Sequence, residues 1–105
     1  MATQITKHFA DTEFFDSQIA NDNKICNYTS YVLVINNIRY VAYMLEIIRY
    51  HFGHPIRITS GYRCTQLNKL VGGSPNSNHM YGLAVDINCG KSLNKKLYRT
   101  IYNLK

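Results

Sequence analysis

Residues 34–52, VINNIRYVAYMLEIIRYHF, carry the most regular pattern in the sequence, and the rest of the fold is built around them. Their apolar residues recur at alternating steps of four and three, the spacing that places side chains on one face of an α-helix. That face comprises Val34, Ile38, Val41, Leu45, Ile48 and Phe52. Because polar and charged residues lie off this face, the segment is predicted to be an amphipathic helix and not a membrane span. Gly53 and Pro55 predict that it ends near Phe52.

Short strands and helices are predicted on the C-terminal side of this helix. Residues 56–60 alternate and are rich in β-branched side chains, which predicts a strand leading into a tight turn at Gly61. Residues 64–71 could form two turns of helix. Leu83, Val85 and Ile87 predict a second strand with one apolar face. From Ser92, a good N-cap residue, a final amphipathic helix is predicted whose apolar positions are Leu93, Leu97, Ile101 and Leu104.

The chain of 105 residues is long enough for one domain with a single modest core. Residues 1–31 are predicted to form a short helix and an irregular arm, residues 32–88 a core that carries the sequence motifs, and residues 89–105 a C-terminal helix. The predicted class is α+β, with the long amphipathic helix packed on a small, mostly antiparallel sheet.

Composition narrows the choice of partners and compartment. The net charge of +6 favours anionic partners. Cys26, Cys64 and Cys89 show no CxxC spacing, and their odd number favours a reducing compartment, with a bridge between Cys64 and Cys89 left open. The opening residues lack the pattern of a signal peptide, so we expect the chain to be cytoplasmic at synthesis.

Basic residues concentrate near the C-terminus. Lys91, Lys95 and Arg99 recur every four residues, and Lys96 and Lys105 add to the charge. They could meet an anionic polymer, although charges on the polar face of a helix are usually just solvated. No aromatic residues interleave with them in a recognisable nucleic-acid-binding motif, which disfavours nucleic acid as the partner.

His79 and Asp86 flank a short apolar segment and are the candidate metal ligands. Gly82 allows a tight bend between them, and an imidazole with a carboxylate is a normal pair of ligands for Zn²⁺. The alternative is structural: Asp86 would form a salt bridge with Arg63 or Arg57, and His79 would be an ordinary loop histidine.

Three motifs occur in a fixed order: Ser60-Gly61-Tyr62-Arg63, Asn68-x-x-Val71-Gly72-Gly73 and Ser77-x-His79-x-x-Gly82-x-Ala84-x-Asp86. Together they resemble the zinc D-alanyl-D-alanine peptidases of bacterial cell-wall metabolism. The resemblance implies a D,D-peptidase (hedgehog-like) fold, Zn²⁺ held by His79 and Asp86, and peptidoglycan stem peptides as substrate. It also implies that Arg63 contacts the substrate and stabilises transition-state charge, and that Ser77 faces the substrate.

One departure from the family is serious. The family has a third zinc ligand, a histidine on a strand after the last helix, with an acidic general base shortly before it. After Asp86 this sequence has no His, Asp or Glu, so the resemblance implies a fold that lacks its last strand. His51 and His54, at the end of the long helix, and Cys89, on the opposite face of the strand, are poor replacements. His8 lies in the N-terminal arm, and the sequence does not place it relative to the site.

Three functions therefore remain open. The first is a zinc peptidase of the cell wall, with a phage lysis protein of endolysin type or a virion-associated protein as its expected context. The second is a truncated, inactive relative that serves as a wall-binding or structural module. A missing strand would leave an unpaired sheet edge, which favours pairing with another chain. Either a different partner or a second copy in a homodimer would then supply the absent ligand. A general anion-binding protein is a third reading.

Overall fold

A computed structural model describes residues 2–104, with Met1 and Lys105 outside the described part. Within it the chain forms five α-helices, one 3₁₀ helix and a two-stranded antiparallel sheet. In chain order they are α1 (Asp11–Phe15), α2 (Gln18–Asp22), α3 (Val32–Phe52), β1 (Ile58–Ser60), α4 (Thr65–Leu70), the 3₁₀ helix (Asn78–Tyr81), β2 (Asp86–Ile87) and α5 (Lys91–Asn103). The predicted α+β class is confirmed.

Helix α3 organises the core as its periodicity predicted. Four of the six predicted positions, Val34, Ile38, Leu45 and Phe52, are buried, and Val41 and Ile48 pack against the same cluster. The helix ends at Gly53, which adopts the left-handed conformation with φ 80°. Glycine is favoured there because it has no Cβ to clash.

The sheet is smaller than predicted. Strand β1 pairs with β2 through Ile58 opposite Ile87 and Ser60 opposite Asp86. The prediction of an apolar strand face that included Leu83 is wrong, because Leu83 is 46% exposed and precedes the ladder. Val85 and Ile87 do pack against the core. The tight left-handed turn at Gly82, φ 73°, ends the 3₁₀ helix there and delays the start of the strand.

The N-terminal residues form two short helices instead of the single one predicted. Phe9 and Phe14 are buried in the main core, and Phe15 packs against it. Tyr62 donates its backbone N–H to the carbonyl of Phe14 at 2.7 Å, and the close approach leaves no room for a side chain at Gly61. The arm is thereby fixed to the segment that follows β1.

The last helix begins two residues earlier than predicted. The N-cap of α5 is Gly90 and not Ser92, because Gly90 adopts φ 91° and turns the chain into the helix. Its apolar residues Leu93, Leu97 and Ile101 face the core. The three cysteines are free thiols, so Cys64 and Cys89 form no bridge. No helix within residues 2–104 has the length and apolar character that crossing a bilayer requires.

Candidate metal centre

The ring of His79 is buried and held by the backbone. It is 9% exposed, and its Nδ1 lies 2.7 Å from the carbonyl oxygen of Gly61. A carbonyl accepts only, so Nδ1 carries a proton and Nε2 is the ring nitrogen left to bind a metal. Histidine ligands of metals are usually oriented by a hydrogen bond of this kind at the other ring nitrogen. His79 is therefore prepared to bind a cation through Nε2.

Nε2 of His79 faces Asp86, with 3.7 Å between Nε2 and Oδ2. Two ligands of a tetrahedral zinc ion, each bonded at about 2.0–2.2 Å, lie roughly 3.3–3.6 Å apart. The observed separation is close to that range, and the Asp86 side chain is 62% exposed, so it can adjust. Within residues 2–104 Asp86 forms no ion pair with Arg63 or Arg57, the structural alternative considered above.

The part of the chain that the structure describes holds two candidate ligands at this point and no third. Nowhere in residues 2–104 do three His, Cys, Asp or Glu side chains gather as a metal-binding group. The other candidates are engaged elsewhere: His8 pairs with Glu46 at 2.7 Å, and His54 lies 3.4 Å from Lys96. The residues present fit two positions of a zinc site, with the remaining positions open to other ligands.

Ser77 acts on the backbone in this structure. Its hydroxyl accepts a hydrogen bond from the backbone N–H of His79 at 3.2 Å and caps the 3₁₀ helix. This contact fixes the start of the turn that carries the metal ligand. A substrate-facing role for Ser77 stays a prediction.

Arg63 is anchored by a residue to which the sequence analysis assigned no function. Its Nη1 donates to Oδ1 of Asn68 at 3.1 Å, and Asn68 is itself buried and donates from Nδ2 to the carbonyl of Ser74 at 2.8 Å. A Cβ at Gly73 would lie 2.8 Å from Nη1 of Arg63 and would also collide with the Asn68 amide. The Asn68 to Gly73 motif therefore forms the support of the arginine. The Nε of Arg63 is buried without a hydrogen-bond partner.

Asn27 is a second residue that the sequence analysis missed. It is buried, and its Nδ2 donates to the carbonyls of Phe15 at 2.9 Å and Tyr62 at 2.8 Å, while its Oδ1 accepts from the N–H of Cys64 at 2.7 Å. The amide thus holds the residues on both sides of Arg63. A lone asparagine in an irregular segment gives no periodic signal by which this could have been foreseen.

A cavity of about 410 Å³ opens beside these residues. Arg63 and Asp86 line it together with Tyr62, and the opposite wall comes from the junction of α1 and α2 at Asp16 and Ser17. Burial, and next the charge of Cys64, raises the pKa of Tyr62 above its ordinary value of 10.0, outweighing the opposite effect of a hydrogen bond with a threonine hydroxyl. The raised pKa keeps the phenol of Tyr62 neutral at physiological pH.

Comparison with known proteins gives two findings. The family model described as peptidase M15 matches residues 7–103, nearly the whole chain. A zinc D-Ala-D-Ala carboxypeptidase of Streptomyces albus G is 43% identical over 47 residues, which is 44% of this chain and 18% of that protein. The matched stretch thus covers less than a fifth of the relative. No solved structure matches the chain.

Proposed function

Because the chain belongs to the peptidase M15 family, we propose that it is a zinc-dependent peptidase acting on the D-amino-acid-containing peptide stems of bacterial peptidoglycan. The observation that carries the proposal is the 3.7 Å approach of His79 Nε2 to Asp86 Oδ2 beside a cavity that Arg63 also lines. Nothing in the packing of the core requires a buried imidazole to face an exposed carboxylate there. The name of the Streptomyces relative supports zinc and D-Ala-D-Ala termini as the chemistry.

His79 and Asp86 are the residues that would hold the ion. When bound, zinc supplies Lewis-acid polarisation of a carbonyl and lowers the pKa of water. The carbonyl of Gly61 keeps His79 in the tautomer that can ligate, so the site needs no rearrangement of the ring. Asp86 contributes a negative charge that offsets part of the charge of the cation.

Arg63 would bind the substrate carboxylate or the oxygen on which negative charge develops. A guanidinium stays protonated and presents a rigid fork of donors, which suits both tasks. Asn68 occupies one of these donors and thereby orients the others. Tyr62, whose phenol stays neutral, lines the same cavity. Ser77 would approach the substrate only after giving up, or sharing, its contact with the His79 N–H.

The experiment is a paired metal and activity measurement. We expect zinc to bind the purified chain and hydrolysis of stem peptides ending in D-Ala-D-Ala to stop with a chelator. His79→Ala should lose both, whereas His51→Ala, a matched change at an exposed histidine of α3, should keep both. Arg63→Lys should keep zinc and lower the rate by about 10²–10³, the cost of losing one transition-state donor. Full zinc retention in His79→Ala and Asp86→Ala would refute the site.

The inactive wall-binding or structural relative is the second candidate, favoured by the presence of only two ligands within residues 2–104. It predicts zinc binding without turnover. A second copy pairing at an open edge of the two-stranded sheet would instead complete the site. In that case zinc should convert monomer to dimer in light scattering, and activity should rise with the square of protein concentration when the chain is dilute. A phage lysis or virion-associated role belongs to the same proposal. Its test is whether the purified protein, added to the outside of intact bacteria, lyses them.

A further inference from the structure

The outer face of α5 concentrates positive charge, and no residue of this helix lines the cavity beside the candidate metal centre. Residues 87–105 carry five Lys or Arg and no Asp or Glu, so this stretch accounts for five of the six units of net positive charge. Successive residues of a helix are rotated by about 100°. Lys91, Lys95, Tyr98, Arg99 and Tyr102 therefore fall on one stripe, and all five are exposed. We call this stripe the α5 basic face.

Within the described residues 2–104, the cations of this face form no ion pair. The ion pairs within residues 2–104 join His8 to Glu46 and His79 to Asp86, and neither includes a cation of α5. Lys96, which lies off the stripe, contacts His54 and the ring of Phe52 instead. The three cations of the α5 basic face are left to an external anion.

The placement of these charges also opposes the stability of the helix. A helix N-terminus favours acidic residues and its C-terminus basic ones. Helix α5 has no acid in its first turn and no base in its last, and Lys91 is its first residue. Lys91 with Lys95, and Lys95 with Arg99, are like-charge pairs at i,i+4, which repel. The N-cap, Gly90, supplies no side-chain hydrogen bond. Solvation alone gives no reason for cations in this order.

We propose that the α5 basic face binds a linear phosphodiester polymer of the bacterial cell envelope. Lys91, Lys95 and Arg99 are spaced about 6 Å apart along the helix axis, a continuous row that can follow a polyanion. Such a contact would hold the peptidase on the wall. The choice of a wall polymer rests on the proposed function, whereas the requirement for a polyanion does not.

Two other anionic partners fit the face less well. Insertion into an anionic membrane would need the apolar side of the helix, and that side is occupied by the core through Leu93, Leu97 and Ile101. Single-stranded nucleic acid is gripped by aromatic rings that stack on bases. Here the rings of Tyr98 and Tyr102 stack on one another, 6.4 Å apart at 23°. Both partners become outcomes of the test.

The test is a sedimentation assay of the full chain on purified cell walls. The walls are used intact, or stripped of phosphodiester polymers with hydrofluoric acid. We expect salt-sensitive binding to intact walls only. The triple variant Lys91→Gln, Lys95→Gln, Arg99→Gln should bind roughly a hundredfold more weakly at 0.1 M salt, and its logarithmic salt dependence should be less steep by about 2.

The matched control removes the same charge elsewhere, through Lys7→Gln, Lys24→Gln and Lys69→Gln at exposed positions. Control binding within threefold of the unchanged chain supports the face. Equal weakening in both triple variants overturns it, as does equal binding to stripped walls. If duplex DNA displaces the chain from walls at a lower phosphate concentration than poly(glycerol phosphate) does, the face binds nucleic acid instead. If the chain binds phosphatidylglycerol vesicles but not walls, the face binds lipid instead.

Folding and function are controlled separately. The α5 triple variant removes the repulsion among Lys91, Lys95 and Arg99, so its melting temperature should equal or exceed that of the unchanged chain. A lower melting temperature would contradict the argument that these charges oppose the stability of the helix. His79→Ala should sediment with intact walls like the unchanged chain. Wall binding without peptide hydrolysis in any form of the chain would refute the peptidase and leave the inference intact. Zinc-dependent hydrolysis, together with wall binding that the α5 triple variant does not weaken, would support the peptidase and refute the inference about α5.

Discussion

Replacing Asn27 with alanine should destabilise the protein strongly although the side chain lies outside the helices and the sheet. The substitution removes three hydrogen bonds and leaves the carbonyls of Phe15 and Tyr62 and the N–H of Cys64 without their partner. Each buried hydrogen bond contributes about 1 kcal/mol, so the expected loss is about 3 kcal/mol. For a domain of this size that lowers the melting temperature by roughly 12–24 °C.

Thermal and urea unfolding followed by circular dichroism measure this loss. Asn36→Ala is the matched control, because Asn36 is exposed on α3, and its stability should change by no more than about 0.5 kcal/mol. Asn27→Asp keeps the acceptor but turns an anion toward two carbonyls. Its folded state should favour the neutral acid, so its stability should fall as the pH rises above about 4. A loss below 1 kcal/mol for Asn27→Ala would refute the assignment of Asn27 as the anchor of this segment.

Three further predictions follow from other contacts. Burial favours a higher pKa for Glu46, but hydrogen bonds from the ring and the backbone N–H of His8 outweigh it and lower the pKa below 4.5. Glu46→Gln should therefore lower the melting temperature at pH 7, and the difference from the unchanged chain should shrink as the pH falls below about 4.5. Gly73→Ala should displace Arg63 and weaken peptide binding, measured by calorimetry, by about tenfold, which corresponds to the loss of one hydrogen bond to a charged group. Gly72→Ala is the control: its new methyl group would have no atom within 4 Å, so the change should strain only the backbone. Lys91→Glu should stabilise α5 by about 1 kcal/mol and raise the melting temperature by a few degrees, because a helix N-terminus favours an acidic residue. Lys91→Gln should give an intermediate melting temperature. A lowered melting temperature in Lys91→Glu would contradict the argument that the charge of Lys91 opposes the helix dipole.

The sequence predicted best the elements that one local rule determines. Helix α3 follows from the spacing of Val34 to Phe52, and its end follows from the need for a left-handed residue at Gly53. The approach of His79 to Asp86 was expected from the bend that Gly82 permits, and Gly82 does adopt φ 73°. Helical periodicity and the conformation of a glycine depend on a few neighbouring residues, so both can be predicted from a single sequence.

What the sequence did not reveal depends on contacts between distant segments. The carbonyl of Gly61 orients His79 across 18 positions, and Asn27 reaches Tyr62 across 35. Asp16 and Ser17 line the cavity, although they are more than 40 positions before the first motif along the sequence. Strand β2 came out shorter than its alternation suggested, because pairing needs a partner and β1 provides only three residues.

The partner that orients His79 has an evolutionary consequence, since it belongs to the main chain. No mutation at residue 61 can delete a peptide oxygen, so the tautomer of the imidazole is inherited with the path of the backbone. Selection is left to act on the absence of a side chain at that position, where a methyl group would strike the Phe14 carbonyl at 2.6 Å. Drift in the surrounding side chains can therefore alter the rest of the candidate site long before it disturbs the orientation of His79.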